Sequence, residues 1–157
     1  MTKPSAGVLL LRPTPGGSFE VLLVHPGGPL WVRRDEGAWS IPKGEYGEDE
    51  SPMEVARREF SEEIGIAVPD GPWLELGTVR QSGGKHVTAW AVTGDVDASA
   101  IVSNTFQMEW PPKSGNLAAF PEVDRAEWFT LSDAAIKINS GQLELLERLA
   151  RHVDPGR

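Results

Sequence analysis

The sequence predicts a single domain of the α/β class. Its 157 residues fall within the about 100–200 residues of one typical domain. Hydrophobic residues make up 39% of the chain and charged residues 24%, as in ordinary globular proteins. Short extended segments bounded by glycine and proline alternate with two segments of helical periodicity. That mixed order of strands and helices predicts the α/β class.

The N-terminal third predicts two strands followed by a long loop. Ala6–Leu11 and Phe19–His25 are apolar, and the turn-forming residues 13–17 join them in a hairpin-like arrangement. Residues 26–38 are rich in glycine, proline and charge, which predicts a loop. Residues 39–41 are expected to be extended, because the proline that follows disfavours helical geometry before it.

The clearest predicted element is a helix from Pro52 to Ile64. Ser51 can cap its N-terminus, proline suits the first helical position, and Glu54 completes an S-x-x-E capping box. Gly65 can end the helix in a left-handed conformation. The apolar residues lie in one stripe when plotted at about 100° per residue: Met53, Ala56, Phe60 and Ile64.

The remaining elements continue the mixed order, and no repeat or linker divides the chain, so one domain is expected over residues 1–157. Leucines spaced at helical intervals predict a C-terminal helix near Gly141–His152. Four strands are predicted before it, at Leu74–Gln81, His86–Thr93, Phe106–Trp110 and Ala126–Phe129. Between them lie a polar stretch at Gly94–Thr105 and a loop at Pro111–Glu122.

Charge and cysteine content exclude several classes of function. The formal net charge of −8 argues against binding of nucleic acid or of an anionic membrane surface. The chain has no cysteine, which excludes disulfides, thiolate nucleophiles and Cys-ligated metals. It shows no signal-peptide pattern and no apolar span long enough to cross a bilayer, so a cytoplasmic location is expected.

Most of the negative charge comes from one segment. Residues 44–65 hold eight acids and two bases, a net charge of −6, whereas all other residues together carry −2. Within this segment Glu59, Glu62 and Glu63 follow i, i+3, i+4 spacing, which places three carboxylates on one helical face. Like charges at this spacing destabilise a helix, and a divalent cation would reverse the penalty. A solvated acidic face is the alternative from helix geometry alone.

The surrounding residues favour the cation site. Residues 44–66 fit the pattern G-x5-E-x7-R-E-U-x-E-E-x-G-U, where U is a bulky apolar residue, without any departure. The segment therefore resembles the signature box of the Nudix (MutT-like) hydrolases, and the W-x-x-P-K-G stretch before it resembles diadenosine polyphosphate hydrolase-like and bacterial MutT-like members. The matching positions are Gly44, Glu50, Arg58, Glu59, Phe60, Glu62, Glu63, Gly65 and Ile66.

The resemblance implies a fold and a reaction. The family folds as an α/β/α sandwich with a central mixed β-sheet, and the box forms a loop–helix–loop catalytic motif. Its members hydrolyse a diphosphate linkage in nucleoside diphosphate-linked substrates with Mg²⁺, for which Mn²⁺ can substitute. Carried over by position, the metal-binding and catalytic glutamates are Glu59, Glu62 and Glu63, and Gly44 offers its carbonyl to the metal. Glu50, Arg58 and Gly65 take structural roles in the motif.

Further roles are expected outside the helix. In the family the lysine before the box commonly contacts a substrate phosphate, which assigns Lys43 to substrate binding. The general base varies among members, so Glu59 and Glu63 are candidates, and so are Glu109 and Glu122 outside the box. A stacking partner for a nucleobase is sought among Tyr46 and the six tryptophans, which are Trp31, Trp39, Trp73, Trp90, Trp110 and Trp128.

Three functions compatible with the box remain to be compared. A diphosphohydrolase acting on a small nucleotide-type substrate is the leading prediction, with the protein a monomer or homodimer. A nucleotide-binding Nudix sensor without turnover is the alternative, although such domains usually carry a degraded box. An RNA-cap hydrolase is disfavoured, because the chain has an acidic balance and no Lys/Arg-rich patch.

Overall fold

The computed structural model describes residues 3–81 and 83–153. Within these ranges eight strands and three α-helices form, and none of the helices is long and apolar enough to cross a membrane. The strands are β1 (Ser5–Thr14), β2 (Ser18–Pro26), β3 (Lys43–Glu45), β4 (Leu74–Arg80), β5 (His86–Thr93), β6 (Thr105–Glu109), β7 (Leu117–Pro121) and β8 (Val123–Thr130). The helices are α1 (Pro52–Ile64), α2 (Leu131–Lys137) and α3 (Leu143–Val153), and 3₁₀ turns cover Ala98–Ala100 and Ser140–Gln142.

The central sheet is mixed, with strand order β4-β5-β1-β2-β8. β1 runs parallel to β5 and antiparallel to β2, and the remaining pairs along this path are antiparallel. β3 pairs antiparallel with the first residues of β1. The strands β6 and β7 form a separate two-stranded hairpin.

Side chains alternate between two buried layers, one on each face of the sheet. Along β1, Leu9 and Leu11 face the layer that α2 and α3 cover, whereas Val8 and Leu10 face the layer beneath α1. Each layer therefore buries the apolar stripe of its helices against the same sheet. The helices on both faces confirm the predicted α/β/α sandwich with a mixed central sheet.

The site segment begins where β1 and β2 separate. β2 pairs with β1 only from Leu11 to Thr14, so the first half of β1 is free to pair with β3 on that side. The chain before β3 fills the opening: the backbone N–H groups of Val8 and Val24 donate to the carbonyls of Pro42 and Ser40. The separation of β1 from β2 therefore places Lys43 and the residues after it at the edge of the gap between these two strands.

The structure confirms the predicted helix Pro52–Ile64 at both ends and the strand His86–Thr93, whereas three other segments were wrongly predicted. The loop expected at Pro111–Glu122 contains β7, whose residues alternate in exposure but include no β-branched residue. The helix α2 was missed because seven residues show little periodicity. The strand β3 was missed because its three residues pair only through their backbone.

Candidate active site

Helix α1 is held in place by local caps and by its buried face. The Ser51 hydroxyl accepts a hydrogen bond from the Glu54 N–H at 3.5 Å, and Pro52 occupies the first turn. Gly65 ends the helix with φ of 86°, and its N–H donates to the Ser61 carbonyl at 2.7 Å. The local sequence therefore sets the length and register of the helix, and with them the direction of its glutamates.

The three helix glutamates line two cavities beside the sheet. The larger cavity, of about 400 Å³, includes Glu59 and Glu62 in its walls. The smaller, of about 140 Å³, includes Glu63. Their side chains are exposed to 16%, 39% and 8% respectively, so one carboxylate is buried and another is nearly so. Lys43 and Glu122 line both cavities, which makes them one continuous site.

Gly44 lies directly against the carboxylate of Glu59. A Cβ placed on Gly44 would lie 2.1 Å from Glu59 Cδ, a distance that non-bonded atoms do not tolerate. Pairing of Gly44 with Ala6 holds this backbone in the sheet, so it cannot move aside freely. A side chain at this first glycine of the motif would therefore displace the Glu59 carboxylate from its present position.

Burial and mutual repulsion favour the protonated form of two of these carboxyl groups. Burial, and then the nearby charge of Glu62, raises the pKa of Glu59 to about 7. Burial, and then the charge of Glu59, raises the pKa of Glu63 to about 8. Ionising both carboxyl groups at neutral pH is unfavourable unless a cation binds between them.

Two lysines face this acidic cluster. Burial, and then the charge of Lys85, lowers the pKa of Lys43 from its usual value. Lys85 stands just before β5 and donates to the Glu45 carboxylate at 2.9 Å. Ser5 lines the same cavity, and its fully buried hydroxyl has no hydrogen-bond partner in the described part of the chain. The sequence singled out neither Lys85 nor Ser5, because strand pairing across distant segments brings them here.

Arg58 connects the loop before the helix to the helix itself. Its guanidinium donates to Glu50 Oε2 at 3.2 Å, and Glu50 Oε1 accepts from the Gly47 N–H at 2.9 Å. The same guanidinium lies 3.8 Å from Glu59 Oε1 and 3.9 Å from Glu62 Oε1. These contacts brace the loop against the helix and place the guanidinium beside two carboxylates that line the cavity.

The two acids expected outside the box lie in different places. Glu122 lines both cavities, and its backbone is fixed because its N–H donates to the Asn104 carbonyl and its carbonyl accepts from the Gly27 N–H. Glu109 instead ends β6, where its carboxylate accepts from the Lys113 N–H at 2.7 Å in the exposed hairpin. The structure thus brings Glu122 to the helix glutamates and leaves Glu109 at the hairpin tip.

The donor set of the site fits a hard divalent cation. Its carboxylates supply only oxygen ligands, and Glu63 Oε1 is buried without a hydrogen-bond partner among the described residues. Within residues 3–81 and 83–153, no three such side chains already surround a common point at coordination distance. Holding a cation would therefore need rotation of Glu59 and Glu62, whose side chains border the open cavity. Ligation by the Gly44 carbonyl remains a prediction.

The aromatic candidates differ in their accessibility. Trp31 is 38% exposed and lines an open cleft. Trp39 and Trp90 belong to the buried core, and Trp73 packs against Trp90. Tyr46 is partly buried against the layer beneath α1, and its backbone N–H donates to the Pro4 carbonyl at 3.0 Å. A stacking role for a tryptophan is therefore best sought at Trp31.

Comparison of the sequence with known proteins gives a family and a partial relative. A family model for the NUDIX domain matches residues 1–149. A protein of Mycobacterium tuberculosis provisionally named 8-oxo-dGTP diphosphatase 3 is 41% identical over 63 residues. That match covers 40% of this chain and only 28% of the relative's length.

Comparison of the fold with solved structures agrees with the family match. The Caenorhabditis elegans Ap4A hydrolase binary complex superposes with a TM-score of 0.64 at 21% identity, covering 95% of this chain and 97% of that one. The NUDIX domain of Shewanella oneidensis NrtR, complexed with ADP ribose, also gives 0.64, at 18% identity and with 98% and 89% of the chains covered. Together with the match over residues 1–149, the geometry assigns this chain to the NUDIX domain family.

Proposed function

We propose that the protein hydrolyses a diphosphate linkage in a nucleoside diphosphate-linked substrate, in a reaction that depends on Mg²⁺ and that Mn²⁺ can support. The supporting observation is the assembly of carboxylates and lysines around one site. Glu59, Glu62 and Glu122 line the larger cavity with Lys43 and Lys85, and Glu63 lies in the wall of the smaller one. This combination of acids and cations suits a cation together with an anionic substrate.

Each group in the site has a distinct part in this proposal. Glu59, Glu62 and Glu63 would hold the cation, and Mg²⁺ when bound supplies charge neutralisation and a more acidic water. Lys43 and Lys85 would bind phosphate oxygens as point charges. Arg58 would keep Glu59 and Glu62 oriented, since it lies within 4 Å of both carboxylates.

We assign the general base to Glu122. The carboxylates of α1 would be engaged by the cation, whereas Glu122 reaches the cavity from a different segment. Its backbone is fixed on both sides by hydrogen bonds to Asn104 and Gly27, so its side chain starts from a defined position. A base must lie within hydrogen-bond reach of the attacking water, and a fixed wall residue meets that need.

The class of substrate is supported by the relatives. Ap4A, 8-oxo-dGTP and ADP ribose, which appear in their names, all contain a nucleoside joined to a chain of phosphates. This common part would lie across the lysines and the acidic cluster. The group beyond the diphosphate is selected elsewhere on the surface.

The proposal is tested by product-resolved hydrolysis of a nucleotide panel. We expect turnover with Mg²⁺ or Mn²⁺, none with EDTA, and loss of turnover when Glu62→Gln and Glu63→Gln are combined. Glu147→Gln, an exposed glutamate of α3, is the matched control and should keep full activity. Undiminished turnover by the double variant would contradict the assignment.

A nucleotide sensor is the second candidate. This candidate is supported by the NUDIX domain of NrtR, which is similar in fold and was crystallised with ADP ribose. Nucleotide binding by the wild-type protein with no product after long incubation would favour this function over hydrolysis.

A further inference from the structure

An apolar cleft of about 170 Å³ opens beside the candidate active site. One wall is the loop after β2, and the other is the β6–β7 hairpin. We name it the Trp31 cleft, and its lining residues are Gly27, Gly28, Leu30, Trp31, Phe106 and Met108. Leu30 and Trp31 are 64% and 38% exposed, so large apolar groups face solvent here.

The close fit of the two walls shows that the cleft is a built feature. Gly28 has φ of +96°, and a Cβ at this position would lie 2.9 Å from the Phe106 ring. Only glycine therefore allows the loop to touch the hairpin there. Along β6, Phe106 and Met108 share one face because side chains alternate, and both point into the cleft.

The loop that carries Trp31 is fixed by several hydrogen bonds. The Trp31 N–H donates to the Gly28 carbonyl at 3.2 Å, and the Arg34 N–H donates to the Trp31 carbonyl at 2.9 Å. The Arg34 guanidinium lies 5.6 Å from the Trp31 ring centroid. The backbone carbonyl of Arg34 contacts His25 Nε2 at 2.6 Å. The indole is therefore presented on a braced loop, with a cation over its ring.

The cleft lies next to the active site. Pro26 lines the cavity that holds Glu63 and Glu122, and the next residue, Gly27, lines the Trp31 cleft. Successive Cα atoms are about 3.8 Å apart, so one peptide unit separates the two depressions at this point. The Gly27 N–H also donates to the Glu122 carbonyl at 2.9 Å, which ties the cleft to the acid proposed as base.

We propose that the Trp31 cleft binds the nucleobase of the substrate whose phosphates occupy the acidic site. An apolar cavity of about 150 Å³ accommodates a benzene-sized ring in other proteins, so the volume suits one six-membered aromatic ring of a base, with any second ring at the open side of the cleft. Trp31 and Phe106 supply aromatic faces for stacking, which every base can use. Hydrolysis of the bound molecule rests on the proposed function, whereas binding of the base does not.

The lining residues also set the selectivity of this subsite. Glycine, leucine, phenylalanine and methionine side chains carry no strong hydrogen-bonding group, and the Trp31 indole offers one N–H. Discrimination among bases requires side chains that pair with their polar edges. The subsite therefore prefers aromatic groups over aliphatic ones but tolerates both purines and pyrimidines.

The test is calorimetric binding of ADP, CDP and inorganic pyrophosphate in Ca²⁺ buffer to the full chain. Trp31→Ala should weaken ADP and CDP binding about tenfold, the order that base stacking contributes, and leave pyrophosphate binding unchanged. Trp31→Phe should restore most of the affinity. Phe106→Ala, checked for folding by circular dichroism, should give the same selective loss. Val32→Ala removes an exposed apolar side chain that does not line the cleft, and should change nothing.

The outcomes separate this inference from the proposed reaction. Equal loss of ADP and pyrophosphate binding in Trp31→Ala, unchanged ADP binding, or failure of the wild-type protein to bind ADP would overturn the inference. Discrimination of about a hundredfold between ADP and CDP would overturn the tolerance for different bases. If Trp31→Ala weakens ADP binding selectively but no substrate is ever hydrolysed, the base subsite stands and the proposed reaction fails.

Discussion

Replacing Glu63 with glutamine should stabilise the metal-free protein at alkaline pH. The Glu63 side chain is 8% exposed, and its Oε1 has no hydrogen-bond partner among the described residues. Burial raises its pKa from 4.5 to about 8. At about 1.36 kcal/mol for each pKa unit, ionising this group in the folded state costs up to about 5 kcal/mol. Glutamine has nearly the same shape and carries no charge.

The direction of the pH dependence follows from proton linkage. Because the folded pKa of Glu63 lies above the unfolded value, the folded state binds more protons between about pH 4.5 and pH 8. The free energy of unfolding of the wild-type protein should therefore fall as pH rises through this range in EDTA. Glu63→Gln removes that share of the dependence, and Glu59, with a pKa of about 7, contributes in the same direction.

The assay is thermal and urea unfolding in EDTA at pH 5 and pH 8. We expect the two proteins to be similar at pH 5, and Glu63→Gln to be more stable at pH 8 by about 2 kcal/mol or more, which corresponds to about 4–8 °C in Tm for a chain of this size. Glu147→Gln, on the exposed side of α3, should not differ from wild type in its pH dependence.

Adding Mg²⁺ at pH 8 completes the test. A cation that binds the folded state stabilises it by mass action, by about 2.7 kcal/mol at a hundred times its Kd. The wild-type protein should gain this stability, and Glu63→Gln should gain much less. If Glu63→Gln were less stable than wild type at pH 8 in EDTA, ionisation of a buried Glu63 would not be the destabilising factor, and the reasoning would be refuted.

Three further predictions concern the frame of the site. Gly44→Ala should lower Mg²⁺-dependent turnover about a hundredfold or more, because its methyl group displaces Glu59, and misplacement of about 1 Å has that effect on rate. Arg58→Ala should weaken Mg²⁺ affinity by about 10- to 100-fold in a titration, whereas Arg58→Lys should recover part of it, since residues that orient ligands tune the site. Glu122→Gln should reduce kcat by about 10²- to 10⁴-fold with little change in KM, and equal effects from Glu109→Gln would contradict the assignment of the base.

The sequence was most informative where local contacts decide the structure. Helix α1 begins at Pro52 and ends at Ile64 as predicted, because Ser51, Glu54 and Gly65 act within a few residues of each terminus. The spacing of Glu59, Glu62 and Glu63 fixed their common face for the same reason. These features depend on neighbours along the chain, so periodicity and capping rules are sufficient.

The sequence was least informative where residues meet through pairing of distant strands. Ser5 and Lys85 reach the cavity because β1 lies beside β5, a pairing between segments about half the chain apart. Glu122 was a candidate only as an acid outside the box, and nothing in its spacing distinguished it from Glu109. The β7 strand was missed because its five residues include no β-branched residue and end in proline. The positions of these residues depend on the pairing of distant strands, which composition does not predict.

The concentrated acidity of residues 44–65 is itself resolved into separate roles. Glu45 pairs with Lys85, and the Arg58 guanidinium lies within 4 Å of Glu50, Glu59 and Glu62, so four of the eight acids have a cationic partner. Three others are exposed at the surface: Glu48, Asp49 and Glu54. Glu59, Glu62 and Glu63 lie on one face of α1, where the single guanidinium of Arg58 cannot balance three carboxylates. Because the pKa values of Glu59 and Glu63 are raised to about 7 and about 8, these two resist ionisation at neutral pH in the absence of a cation. The net charge of −6 is therefore larger than the charge that a cation at the proposed site would neutralise. That charge comes from three carboxylates, and two of them are largely buried.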